Sequence, residues 1–195
     1  MFFAKDQARS ICVDVAAEAL MLANKLFEKE KAEGEFIRAD MAYLPIRNNT
    51  FDAVFAGGTI EHVKNTLTAV KEISRVLTHG GVFIATVPLI SLSLIYYQFL
   101  TGSIPDIPVI RTIFEFVHLR ALDKRFLKSG YEKSFTKRGI GKIFACANLS
   151  NAEIGPVHYP CPITLLRGRH TKNVLRKLVR HRPFWPMMYV KGVRR

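Results

Sequence analysis

FIRADMAYLPIRNNTFDAVFAGGTIEHVKNTLTAVKEISRVLTHGGVFIATVP, from Phe36 to Pro88, is the stretch that decides the fold. Phe36, Ile37 and Ala39 make a short apolar run closed by Asp40. Pro45 and Asn48–Asn49 supply turn chemistry before a second run, Phe51 to Ala56. Leu67, Val70, Ile73 and Leu77 then recur at the spacing of one helical face. Gly80–Gly81 breaks that helix ahead of a third run, Val82 to Val87. The order is strand, loop, strand, helix, turn, strand, which argues for βαβ units around a parallel sheet.

The pattern extends to both sides. Ile11 to Val15 is apolar with a β-branched bias and reads as a buried parallel strand ending at an acid. Ala19, Leu22, Ala23, Leu26 and Phe27 mark the inner face of a helix over residues 16–33, with Gly34 placed as its C-cap. Beyond Pro88 the character changes. Leu89 to Leu119 is rich in Leu, Ile, Phe and Tyr, is interrupted by Gly102, Pro105 and Pro108, and reads as a lid or substrate-binding insertion. Thr136 is placed to cap a helix whose inner face is Ile140, Ile143, Phe144 and Ala147. Ile154 to Val157 and Met187 to Val193 are the expected final strands, the second at an edge, with the basic stretch RGRHTKNVLRKLVRHRPFW between them. Three segments follow: 1–88 as a partial cofactor-binding half, 89–130 as the insertion, and 131–195 completing the sheet.

The net charge of +13 is unevenly spread. Residues 1–119 carry 11 Lys/Arg against 13 Asp/Glu, whereas residues 120–195 carry 18 against 3. A C-terminal part this basic points to something anionic, such as a lipid surface, nucleic acid or an acidic substrate. Cys12, Cys146 and Cys161 are odd in number and far apart, without metal-ligand or redox spacing. Free thiols in a reducing cytoplasm are the simplest account, and no metal site is expected. Val82 to Ile104 is uncharged and long enough to mimic a membrane span, but Pro88 divides it and its first half matches a buried strand.

Four features, in order, resemble the class I S-adenosylmethionine-dependent methyltransferases. DVAAEAL from Asp14 resembles the end of that family's second strand, FIRADMAYLP its third, FDAVFAGGTIEHV its fourth with the exit loop, and EISRVLTHGGVFIATVP the helix, turn and fifth strand. The resemblance implies a Rossmann-like α/β sheet with helices on both faces, here with a hydrophobic insertion and a basic C-terminal region. It also implies S-adenosylmethionine as cofactor. Asp14 would then accept hydrogen bonds from both ribose hydroxyls, as an ionised carboxylate can, and Val15 would pack on adenine. Asp40 would take the adenine amino group and Met41 would offer its backbone N–H to the ring. Ala56, Gly57 and Gly58 would let the backbone approach the methionine moiety. His62, beside Glu61, is the candidate general base for a hydroxyl or phenol acceptor. In-line methyl transfer depends more on positioning than on acid–base help, so a purely pocket-shaping role for His62 stays open.

One family element has no counterpart. The family carries a glycine-rich loop about 20 residues before the acid at Asp14, and only 13 residues without glycine precede it here. The first, central strand of the family order 3-2-1-4-5-7-6 is therefore expected to be missing, and cofactor binding by this chain to be weak. The family's Lys-Pro before Gly-Gly is Thr78–His79 here, which alters a turn only.

The acceptor is expected to be a small molecule or lipid-like. Leu44–Pro45–Ile46 and Phe51–Asp52 resemble the pattern of quinone-biosynthesis and related small-molecule methyltransferases. An uncharged insertion beside a basic tail also suits peripheral contact with an anionic membrane surface. A non-catalytic scaffold with a degenerate methyltransferase fold is the alternative. Nucleic-acid methylation is disfavoured, because Ala56–Gly57–Gly58–Thr59 stands where a base-flipping Asn/Asp-Pro-Pro-Tyr motif would be.

Overall fold

The computed structural model describes residues 8–91, 94–95, 98, 104–105, 107–121, 131–157 and 187–195. In chain order the first elements are β1 (Ile11–Asp14), α1 (Ala17–Lys29), β2 (Glu35–Arg38), β3 (Phe51–Gly57), α2 (Thr66–Val76) and β4 (Leu77–Pro88). There follow β5 (Ile104–Pro105), α3 (Pro108–Glu115) running into a π-helical turn over Phe116–Ala121, β6 (Tyr131–Glu132), α4 (Lys137–Cys146), β7 (Leu149–Pro156) and β8 (Met187–Arg194). The fold is α/β and Rossmann-like.

The larger sheet runs β3-β4-β8-β7. β3 and β4 are parallel, and β8 is antiparallel to both of its neighbours, β4 and β7. The C-terminal strand is thus central rather than at an edge, a correction to the sequence expectation. Met188 and Val190 are completely buried because β8 has ladders on both sides and a core on one face. Gly80–Gly81 also lies inside β4 rather than before it. The pairing with β3 jumps from Phe51↔Leu77 to Ala53↔Val82, so the glycines form an irregularity within the strand, with Gly80 at φ +79°.

Two helices close the core over this sheet. Asn65 caps α2 by accepting from the Thr68 N–H at 3.2 Å, and α2 buries Ala69, Val70, Ile73 and Val76. Thr136 caps α4 by accepting from the Gly139 N–H at 3.0 Å, as its sequence position predicts. Ile140 and Phe144 of α4 are fully buried, and Phe144 stacks on Phe83 of β4 with ring centroids 5.1 Å apart.

The β1–β2 pair is a separate parallel ladder. Among the described residues β1 and β3 each pair along one edge, and no strand lies between them. α1 departs from expectation here. Phe27 is its one buried residue, while Met21, Leu22 and Leu26 are exposed. Lys31, not Gly34, takes the left-handed conformation after the helix, at φ 52°. Gly34 is needed for another reason: a Cβ there would lie 2.5 Å from the Phe27 ring, which folds back edge-on against Phe36.

The two ladders are tied through the loop after β2. Arg75 of α2 donates to the carbonyls of Leu44 (3.0 Å) and Ile46 (2.8 Å) and to Asn48 Oδ1 (2.6 Å), while pairing with Glu72. Glu72 in turn accepts from the Leu44 N–H at 3.1 Å. Among the described residues no helix is long and apolar enough to cross a membrane. The basic stretch 167–185 and Cys161 lie outside the described residues.

Candidate functional site

In a parallel sheet, ligands gather beyond the carboxyl ends of the strands, where loops leave for the helices. Three such exits carry the sequence candidates. Asp14 ends β1 and its Oδ1 accepts from the Ala16 N–H at 2.8 Å. Asp40 follows β2 and its Oδ1 accepts from the Ala42 N–H at 2.8 Å. Each acid therefore shapes its own loop with one oxygen and keeps Oδ2 without a partner among the described residues. Val15 is exposed, and Met41 is half-buried, packed against the core cluster.

Gly57 and Gly58 leave β3. The Gly58 N–H donates to the carbonyl and the Oγ1 of Thr86 on β4, both at 3.1 Å, which holds the exit loop onto the neighbouring strand. Gly58 sits at φ +65°, a conformation L side chains rarely adopt. A Cβ on Gly57 would meet the Phe55 ring at 2.9 Å. Ala56 is buried under this loop. The chain then turns through Thr59 and Ile60 into Glu61 and His62, with the His62 N–H donating to the Thr59 carbonyl at 3.1 Å.

Glu61 was not singled out as a site residue by the sequence, yet it is the most unusual titratable group described here. It is only 2% exposed, and among the described residues its Oε2 has no hydrogen-bond partner. Burial pushes its carboxyl up to about 7, a backbone hydrogen bond partly opposes this, and the like charge of Glu132 adds to the rise. His62 is exposed. Glu132, 71 positions later, arrives beside them because its neighbour Lys133 is stitched to the same turn. The Lys133 N–H donates to the Glu61 carbonyl at 3.3 Å, and Lys133 Nζ donates to the carbonyls of Val63 (2.8 Å) and Lys64 (2.7 Å). Of these three residues, only His62 was a candidate from the sequence.

An open cavity of about 620 Å³ joins the two ladders. Asp40, Ala42 and Tyr43 line it from the β2 exit, and Lys64, Asn65 and Lys133 from the other side. Asp14, Val15, Ala56 and Gly57 lie outside its lining.

Residues 2–85 match the family model described as "Methyltransferase domain". This segment, which is under half of the chain, is thus similar to methyltransferase domains. A curated relative from Arabidopsis thaliana, "Uncharacterized methyltransferase At1g78140, chloroplastic", is 40% identical over 81 residues, which span 39% of this chain and 23% of that one. The chain therefore aligns with about a quarter of that relative's length. Among solved structures, the PH0226 protein of Pyrococcus horikoshii superposes with a TM-score of 0.65 at 17% identity, covering 100% of this chain and 76% of that one. A SAM-dependent methyltransferase of Thermotoga maritima gives 0.61 at 15% identity, with the same coverage. The [4+2]-cyclase SpnF gives 0.61 at 14% identity, covering 99% of this chain and 68% of that one. The chain thus shares its fold with proteins of more than one chemistry, so its activity has to be argued from its own residues.

Proposed function

We propose that this chain transfers a methyl group from S-adenosylmethionine to a small, lipid-like acceptor. The observation that carries the reading is the placement, within the matched domain, of Asp14, Asp40 and Gly57–Gly58 on three strand exits. The residues fit the donor. Asp14 and Asp40 each keep one unpaired carboxylate oxygen, an acceptor-only group suited to the ribose hydroxyls and the adenine amino group respectively. Val15 offers an exposed apolar surface to adenine, Met41 a backbone N–H to the ring, and Gly57–Gly58 a backbone without side chains to the methionine end. When bound, S-adenosylmethionine supplies an electrophilic methyl group on a sulfonium. The protein's part is then to align the acceptor in line with that methyl and to exclude water. His62, exposed at the β3 exit, is within the loop that can take a proton from a hydroxyl acceptor.

The acceptor class is supported by α3. Val109, Ile113 and Phe116 are exposed by 75%, 55% and 60%, and their i, i+4, i+7 spacing makes one apolar stripe. Such a stripe in a chain of net charge +13 suits peripheral contact with an anionic bilayer that carries the acceptor. A cytoplasmic location accords with this reading.

Calorimetric titration with S-adenosylmethionine tests the donor half. Saturable binding by the full chain, lost in Asp14→Ala, is expected, and affinity unchanged by that substitution overturns the role of Asp14. Flotation with phosphatidylglycerol vesicles tests the acceptor half. Replacing Val109, Ile113 and Phe116 by Ser should release the protein from them.

A further inference from the structure

We propose that Glu61, His62 and Glu132 form a binding site for a divalent first-row metal ion, Mn2+ or Zn2+. One ligand atom from each of the three residues lies within 4.8 Å of the others. Metal–oxygen and metal–nitrogen bonds of about 2.0–2.2 Å put two ligands of one ion at most about 4.4 Å apart, so a small side-chain adjustment brings the three atoms to coordination spacing. Two carboxylates and an imidazole are a mixed oxygen and nitrogen set, which suits these ions better than Mg2+ or Ca2+.

The argument does not rest on acids lying near one another. Glu61 is 2% exposed, and its Oε2 has no hydrogen-bond partner among the described residues. A buried carboxylate oxygen with nothing to bond is costly and calls for a counter-charge. Lys133, which is bonded to the same turn, has its ammonium engaged elsewhere, because Lys133 Nζ donates to the Val63 and Lys64 carbonyls. A second, separate side chain leads into the same place. Gln98 is completely buried, its Nε2 lies 3.4 Å from Glu132 Oε2, and its Oε1 is also without a partner among the described residues. The amide holds Glu132 in position, as the outer groups of metal sites do.

The local backbone leaves room for an ion. Gly58, at φ +65°, has Glu61 Oε1 3.6 Å from where a Cβ would stand, so the glycine keeps that flank open. His62 is exposed, so the site has a buried wall at Glu61 and a mouth at His62. Three protein ligands leave coordination positions for water or for an oxygen of a bound molecule. Since the site follows Gly57–Gly58 by only a few residues, that oxygen can belong to the methyl acceptor. This second role rests on the methyl-transfer reading, whereas ion binding does not.

The test is titration of chelator-treated full chain with MnCl2 and with ZnCl2, without donor or acceptor, followed by calorimetry and thermal melting. One ion per chain is expected, with an upward shift of the melting temperature that grows with ion concentration. Affinity should fall at least tenfold in Glu132→Gln and in His62→Ala, in line with the roughly 10–100-fold losses seen even for outer groups of metal sites. Both substitutions are at positions open enough to solvent for the fold to survive, so the result does not depend on Glu61→Gln folding. No saturable binding below millimolar ion, or affinity in both variants unchanged from that of the unsubstituted chain, overturns the proposal. Ion binding without S-adenosylmethionine binding leaves this site standing and overturns the methyl-transfer reading. The converse result overturns the ion site alone.

Discussion

The β3-β4-β8-β7 half and the β1–α1–β2 half are written in the same sequence language but are packed very differently. Phe83, Ala85, Val87, Phe144, Met188 and Val190 are essentially removed from water. In the other half, Val15, Met21 and Leu22 are 59–61% exposed, as is Phe55 on the edge strand β3, although each belongs to an equally apolar run. The difference lies in neighbours. β4 has β3 on one side and β8 on the other, with α2 and α4 across its face. β1 has β2 alone, and the outer edge of β3 faces no strand among the described residues. An apolar run states that a segment should be buried, but only the strands beside it decide whether it is.

The comparison can be broken most sharply by paired truncations. Phe83→Ala or Phe144→Ala removes half of a stacked pair at zero exposure and should cost about 3–5 kcal/mol in urea unfolding. Leu22→Ala or Val15→Ala, at exposed positions, should stay within about 0.5 kcal/mol. Equal costs in the two halves would mean that α1 and β1 are covered in the folded protein.

Arg75→Ala probes the tie between the halves. It strips hydrogen bonds from the Leu44 and Ile46 carbonyls and should cost about 1–3 kcal/mol, while Arg75→Lys recovers little because one ammonium cannot span the fork. Protease cleavage in the 40–50 loop would report the release directly.

Gly34→Ala sharpens the smaller half. Its Cβ would press on the Phe27 ring, so a loss of about 1 kcal/mol or more is expected, readable as a shift in midpoint. The same loss in a Phe27→Leu background would show that the ring is not the obstacle.

Acid unfolding gives the smallest effect. The hydrogen bond from Arg75 holds the Glu72 carboxyl below its ordinary value, so its folded value lies under its unfolded one. That contribution is present above the unfolded value and is lost as pH falls through the folded one. Glu72→Gln should flatten the acid side of the stability profile slightly, because the pair is near the surface. An unchanged profile would show that this ion pair adds nothing between the halves.

Much of the fold was legible because it is local. Asn65 and Thr136 cap helices by their own side chains, and the apolar spacing of α2 and α4 follows from the helical repeat. The ends of β1 and β3, with Asp14 and Gly57, were likewise readable from short runs. The central position of β8 was not legible, since an alternating strand such as MMYVKGVR fits an edge as well as an interior. Nor was Gly34, whose requirement comes from a ring seven residues earlier. The candidate site was half legible: the acids at the strand exits carry a local signature, whereas Glu132 has none.

By itself the sequence determined the order of strands and helices from β1 to β4, the caps that start α2 and α4, and the strand exits where Asp14, Asp40 and Gly57–Gly58 stand. Those features depend on backbone preferences and repeats that act over a few residues. Tertiary structure alone decided which apolar runs lose water, and that Glu61, His62 and Glu132 share one corner. Burial and charge proximity depend on chain segments far apart in sequence, here brought together by hydrogen bonds from Lys133 to the turn after β3.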